Sequence, residues 1–276
     1  MPLSNNFDKV PLSNNFDNFD KIICITLIDN KERHENVIKY SKELNIPIEL
    51  YKVQKHPKGG RYGCFNSHIE VIKMAYKNDY ENILIFEDDF IPSPAYSIDV
   101  IKNVIEFMKN NNDYDIIKLG YVFAKTNLNF SNAFLSFAEF ILSNEVAKNI
   151  IKCNGAMLHA YILSKKMIKL LAFYGEKELT KPVDQINQID IWMCEIIDKY
   201  NLNSYFVLPL QIEQNYKIKS TNQSFNNLET FFRYLKDIFE NILYLTSLLR
   251  VYRITIFFIL VLLILILILC VNSFKK

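Results

Sequence analysis

Residues 83–90 read Ile83-Leu-Ile-Phe-Glu-Asp-Asp-Phe90, an apolar run that ends in three adjacent carboxylates. Unbroken Ile, Leu and Phe fit a strand buried on both faces. Neighbouring acids repel one another, and desolvating them without partners costs free energy. A strand that ends this way is either solvated at its tip or holds a hard cation there. Carboxylate oxygens suit Mg²⁺ or Mn²⁺, ions that commonly link protein carboxylates to substrate phosphates. Extended backbone alternates its side chains, so Glu87 and Asp89 fall on one side and Asp88 on the other.

Strands and helices alternate outward from this segment. Lys21–Ile28 and Ile48–Val53 are predicted strands, with a helix over Lys31–Leu44 between them that must stop before Pro47. A loop with Pro57, Gly59 and Gly60 leads to a predicted helix over Ser67–Tyr76 and then to the acid-bearing strand, Asn82–Phe86. Ile98–Asn110 and Lys165–Tyr174 carry helical periodicity, while Tyr114–Leu119 and Met157–Leu163 read as strands. This alternation predicts an α/β fold of Rossmann type, a mostly parallel sheet flanked by helices. Ligands of such sheets bind beyond the carboxyl ends of the strands, and Glu87–Asp89 lies at one such end.

The two termini differ in character. Pro-Leu-Ser-Asn-Asn-Phe-Asp occurs at 2–8 and again at 11–17, too short a repeat for a solenoid, so 1–20 is expected to be a flexible tail. No basic start and apolar run of a secretory signal is visible. At the other end, 254–271 is almost wholly Ile, Leu, Val and Phe, flanked by Arg250 and Arg253 before and Lys275 and Lys276 after. As a helix it spans about 27 Å, close to a hydrocarbon core of roughly 30 Å, which predicts a transmembrane helix. A catalytic domain over 21–222, an amphipathic juxtamembrane segment over 223–253 and a single-pass C-terminal anchor follow, with the domain on the cytoplasmic side.

Composition narrows the classes. A net charge of +2 over 276 residues gives no basic face for nucleic acid. Cys24, Cys64, Cys153, Cys194 and Cys270 are scattered without zinc-finger spacing, as buried thiols of a reducing compartment would be.

Further segments stand in a fixed order around the acids. They are Ile25-Thr-Leu-Ile-Asp-Asn-Lys-Glu-Arg33, Gly60-Arg-Tyr-Gly-Cys-Phe-Asn-Ser-His68, Tyr114-Asp-Ile-Ile-Lys-Leu-Gly120, His159-Ala-Tyr-Ile-Leu-Ser164 and Pro182-Val-Asp-Gln185. With Phe86-Glu-Asp-Asp89 between the second and third, the chain from Lys21 to Asn215 resembles glycosyltransferase family 25, which includes lipopolysaccharide glycosyltransferases and collagen galactosyltransferases. Thr26 stands where that family commonly has Asn, and Arg61 where many members carry Glu.

The resemblance implies a GT-A fold, a nucleotide-sugar donor (usually UDP-linked, here UDP-galactose or UDP-glucose) and a glycan, glycolipid or protein acceptor. It implies a divalent cation, Mn²⁺ or a similar ion, held by Glu87, Asp88 and Asp89, with Asp89 first. Thr26 and Leu27 at the end of the first strand would meet the base through their backbone, and Arg33 the base or phosphate. Ser67 and His68, read as opening a helix, would contact the donor or brace the acidic loop. His159 would lie near the donor, and Lys118 at the surface or facing a phosphate. The β-linkages formed in the family imply inversion, which needs a base; Asp184 is the first candidate and Asp190 the second. A different class, a non-catalytic sugar-nucleotide-binding or scaffold domain of the same fold, is the alternative reading.

Overall fold

The computed structural model describes residues 15–121 and 143–215, together with Ile259, Val261 and Leu262. The expected anchor at 254–271 and juxtamembrane segment at 223–253 therefore lie almost entirely outside the described residues. Among the described residues, no helix is long and apolar enough to cross a membrane.

One eight-stranded sheet forms the centre of the fold, in the order β2-β1-β3-β8-β5-β9-β7-β6. Its strands are β1 (Lys21–Leu27), β2 (Glu49–Val53), β3 (Asn82–Glu87), β5 (Ile116–Gly120), β6 (Glu145–Ala147), β7 (Ile150–Lys152), β8 (Ala160–Ser164) and β9 (Ser204–Val207). β1 pairs in parallel with β2 and β3, and β5 in parallel with β9. β8 inserts antiparallel between β3 and β5, so those two still point the same way. Two short strands, β4 (Phe90–Pro92) and β10 (Ile212–Gln214), pair antiparallel beside the main sheet.

Alternation along β3 divides the core in two. Ile83 and Ile85 face a cluster built on α2 (Gly60–Lys77), α4 (Lys165–Leu179) and α5 (Ile189–Lys199), including Phe65, Ile72, Leu171 and Trp192. Leu84 and Phe86 face the opposite cluster, where α3 (Ile98–Asn110) contributes Val104 and Phe107 and α1 (Lys31–Glu43) contributes Val37. Each face of the strand is covered, which is why its sequence is uniformly apolar and not alternating.

Two predicted boundaries shift. The second helix begins at Gly60, not Ser67, because the Gly63 amide already bonds back to the Gly59 carbonyl. Gly63 is there for packing: a Cβ on it would come within 2.9 Å of His56 Cβ. Ser67 and His68 thus sit mid-helix, and the Ser67 hydroxyl donates to the Cys64 carbonyl at 3.0 Å in place of capping open amides. The strand expected at Met157–Leu163 starts only at Ala160, since Met157 takes φ 67° and interrupts the extended run. Such a backbone is uncommon for a residue with a bulky side chain.

Gly120 closes β5 against β10. A Cβ there would meet the Ile212 carbonyl oxygen at 2.8 Å and His159 Cβ at 3.2 Å. Gly120→Ala is expected to lower unfolding free energy by about 1–3 kcal/mol through overpacking, read as a reduced urea midpoint at unchanged slope.

Candidate active site at the end of β3

β3 ends at Glu87, a tight turn carries Asp88 and Asp89, and β4 begins at Phe90. The three acids meet different partners. Asp88 turns toward the end of β1 and the first turn of α1. Its Oδ2 accepts from the Thr26 hydroxyl at 2.7 Å, and its Oδ1 pairs with the Arg33 guanidinium. Arg33 is set there by α1, whose Asn30 cap accepts from the Arg33 amide at 3.3 Å. One turn on, the Asn36 amide donates to the Phe90 carbonyl at 3.0 Å and closes the loop from the same helix. Asp88, an expected metal ligand, and Arg33, an expected nucleotide contact, pair with each other, and both carboxylate oxygens of Asp88 have protein partners.

Glu87, the last residue of β3, and Asp89, across the turn, both approach His159. His159, directly before β8, brings Nδ1 to 3.2 Å from Glu87 Oε2 and 4.0 Å from Asp89 Oδ1. From α2, His68 reaches Glu87 Oε1 at 3.4 Å, and its other ring nitrogen lies 2.6 Å from the Tyr161 hydroxyl. β10 closes the far side: Gln214 donates to Asp89 Oδ2 at 3.1 Å and the Asn215 amide to the Asp89 carbonyl at 2.6 Å. Arg33 also approaches Asp89 Oδ2, at 3.4 Å.

Electrostatics sets Glu87 and Asp89 apart. Burial pushes the Glu87 carboxyl upward, but hydrogen bonds from His159 and His68 outweigh it and hold Glu87 well below the usual carboxylate range. Asp89 moves the opposite way. Its burial, reinforced by the Glu87 charge, raises it above the usual value against the pull of His159, Arg33 and Gln214. Asp89 Oδ1 is buried with no hydrogen-bond partner, and so is Nε2 of His159. Buried polar atoms are normally satisfied, so an orphaned carboxylate oxygen calls for a ligand. Donor atoms of Glu87, Asp89 and His159 all lie within 4.8 Å of one another, a donor set of two carboxylates and an imidazole that fits a divalent cation.

The end of β1 is bonded within the protein. The Leu27 carbonyl accepts from the Asn30 amide and lies 2.8 Å from the His34 ring, so this part of its backbone is engaged within the protein. Thr26 is buried with its hydroxyl committed to Asp88. Lys118 is neither at the surface nor open to a phosphate: it is fully buried and its ammonium donates to the Gly155 carbonyl. The difference arises because β5 is an inner strand on which every position is covered. Asp184 is exposed on a short 3-10 turn, Val183–Gln185. Asp190, in the first turn of α5, accepts from the Met157 amide at 3.3 Å and from the Ile191 amide at 2.9 Å. The first of these bonds ties Asp190 to the segment that leads into β8, two residues before His159.

Sequence reading missed Asn36 and Gln214. Asn36 follows Arg33 by three residues on α1, a spacing that puts both on one helix face and was available as a signal. Gln214 is 125 residues from Asp89 along the chain and had no local signature.

Removing the cation from the buried pair leaves Asp88 uncompensated. Arg33→Met is expected to cost about 3–5 kcal/mol of unfolding free energy, measured by urea denaturation at neutral pH. Asp89 behaves in the reverse sense. Its folded pKa lies above its unfolded one, so its ionisation destabilises the metal-free fold above that window, and the penalty vanishes as pH falls below the ordinary Asp value. With chelator present, Asp89→Asn is expected to raise the melting temperature at pH 7 and to lose that advantage near pH 3.

Solved structures similar to this chain at low identity include the following three. A197 from STIV matches at 12% identity over 75% of this chain and 99% of its own, with a TM-score of 0.36. A glycosyltransferase involved in glycosylation of the major capsid of PBCV-1 matches at 9% identity over 68% of this chain and 82% of its own, TM-score 0.39. UDP-glucose pyrophosphorylase complexed with UDP-glucose matches at 10% identity over 68% and 72%, TM-score 0.38. At these TM-scores the likenesses bear on neither fold nor function. No curated protein matches the sequence. The sequence model of glycosyltransferase family 25 (LPS biosynthesis protein) does match, over residues 25–187. That span is more than half the chain and includes Arg33, His68, the three acids and His159. The acids that end β3 are thus part of an enzyme, for the chain belongs to glycosyltransferase family 25 and is a glycosyltransferase.

Proposed function

We propose that this glycosyltransferase moves a hexose from a UDP-sugar, UDP-galactose or UDP-glucose, to a glycan, glycolipid or protein acceptor, with inversion and with a divalent cation such as Mn²⁺. The observation that carries the reading is the unpartnered, buried Asp89 Oδ1 converging with Glu87 and His159 at the carboxyl end of β3. The strand order, with β8 reversed between β3 and β5 in an otherwise co-directional centre, is compatible with the GT-A architecture that the family resemblance implies.

Glu87, Asp89 and His159 would hold the cation, and Asp88 would serve to fix Arg33 and the turn. A cation bound there supplies positive charge to a diphosphate leaving group. The protein's own residues do the rest. Arg33 keeps the acid turn in place from the α1 side, and Gln214 holds one Asp89 oxygen while leaving the other open. Asp190 is favoured over Asp184 as the base for the acceptor hydroxyl, because it accepts from the Met157 amide, two residues before His159, while Asp184 stands exposed on the preceding turn. The apolar 254–271 segment would tether the domain beside lipid-linked acceptors, with the domain on the cytoplasmic side. Ile259 and Leu262, exposed and helical in that stretch, suit such a tether.

Hydrolysis of a UDP-sugar panel by the full chain tests the assignment. Turnover is expected only with Mn²⁺ or a similar ion, and Asp89→Asn is expected to lower it by about 100-fold or more. Mn²⁺ should raise the melting temperature of the wild type and leave that of Asp89→Asn unchanged. Metal-independent turnover equal in both proteins would overturn the cation assignment. For transfer to an acceptor, Asp190→Asn is expected to cut kcat by about 100-fold or more with donor KM little changed; the same loss in Asp184→Asn alone would move the base to that residue.

A further inference from the structure

Cys64 and His68 stand four residues apart on α2, so both project from one helix face. That face meets the end of β3. Cys64 Sγ, a His68 ring nitrogen and a Glu87 oxygen all lie within 4.8 Å of one another. Glu87 also belongs to the group with Asp89 and His159, but the two groups approach different oxygens: His68 faces Oε1 at 3.4 Å and His159 faces Oε2 at 3.2 Å. One carboxylate therefore stands between a hard donor set and a softer one. The Tyr161 hydroxyl, 2.6 Å from His68 Nδ1, orients the ring so that Nε2 is the nitrogen turned to Glu87. A hydrogen bond to the far nitrogen is how ligating histidines are commonly held.

We propose that Cys64, His68 and Glu87 form a second metal site, for a thiophilic divalent cation such as Zn²⁺. A thiolate, an imidazole and a carboxylate with one open position make a suitable donor set for Zn²⁺, and sulfur disfavours Mn²⁺. Binding releases the thiol proton to solvent and replaces the His68–Glu87 contact. An ion held there fixes Glu87 on the His68 side and so regulates the neighbouring centre: zinc inhibits the Mn²⁺-supported reaction. The inhibition rests on the cation assignment proposed above, whereas the binding does not.

Cobalt reports on the site directly, because a Co²⁺–thiolate bond gives a charge-transfer absorption in the near ultraviolet. Metal-free full-length protein titrated with Co²⁺ is expected to develop this band up to one equivalent and to lose it on adding Zn²⁺. Cys64→Ser is expected to lack the band while keeping Mn²⁺-dependent hydrolysis within about twofold of wild type, since this thiol stands outside the hard donor set. His68→Gln should keep a weaker band with cobalt affinity reduced by about tenfold or more. Zn²⁺ should lower Mn²⁺-supported turnover at least about tenfold in wild type and less than about twofold in Cys64→Ser. No band, the same band in Cys64→Ser, or undiminished affinity in His68→Gln would overturn the site. A band lost in Cys64→Ser alongside equal zinc inhibition of both proteins would overturn the regulation. Absence of hydrolysis in every arm counts against the cation assignment, and the cobalt band then decides the second site alone.

Discussion

The pairing of Arg33 with Asp88 is the constraint on which the acid turn depends. Three carboxylates in succession cannot all be desolvated without compensation. Arg33 and the Thr26 hydroxyl take up both oxygens of Asp88, at a point where its side chain is largely buried. With Asp88 anchored to β1 and α1, the turn leaves Glu87 and Asp89 beside His159. The pair is a poor source of net stability, since burying two charges costs nearly what their attraction returns. What it provides is direction: it decides which of the acids is a strut and which remain available.

The available acids are held in unequal states. Histidine contacts keep Glu87 ionised, while burial and the Glu87 charge work against ionisation of Asp89. A fold built only for stability would carry an amide or an apolar residue where Asp89 stands. Retaining a buried carboxylate with one unbonded oxygen is the kind of local cost that functional sites carry and structural ones seldom do. The surrounding elements make the cost tolerable. β3 is buried on both faces, β8 lies against it in register, and β10 caps the turn through Gln214 and Asn215.

Much of this was legible from local patterns. The apolar run of β3, the helical periodicity of α3 and the stop of α1 before Pro47 each follow from one segment read alone, and the observed boundaries lie close to the predicted ones. Short strands such as β4 and β10 were not, because three residues carry no periodicity. The start of α2 was misjudged for a related reason. Glycine has low helix propensity, and only the approach of His56 explains why Gly63 sits in the first turn. Lys118 shows the same limit, since no sequence rule predicts a lysine whose ammonium lies under the Gly155 carbonyl.

The sequence by itself determined the alternating α/β architecture, the position of the acids at a strand end and the family to which the chain belongs. Each of these is a property of adjacent residues or of ordered motifs. Only the tertiary structure decided the partners: Asp88 with Arg33 and Thr26, Glu87 with two histidines from different elements, Asp89 with Gln214 from the far end of the described chain. Local sequence fixes where a side chain can point, but which charge it meets depends on contacts between residues 19 to 125 positions apart, and those arise only when the sheet assembles.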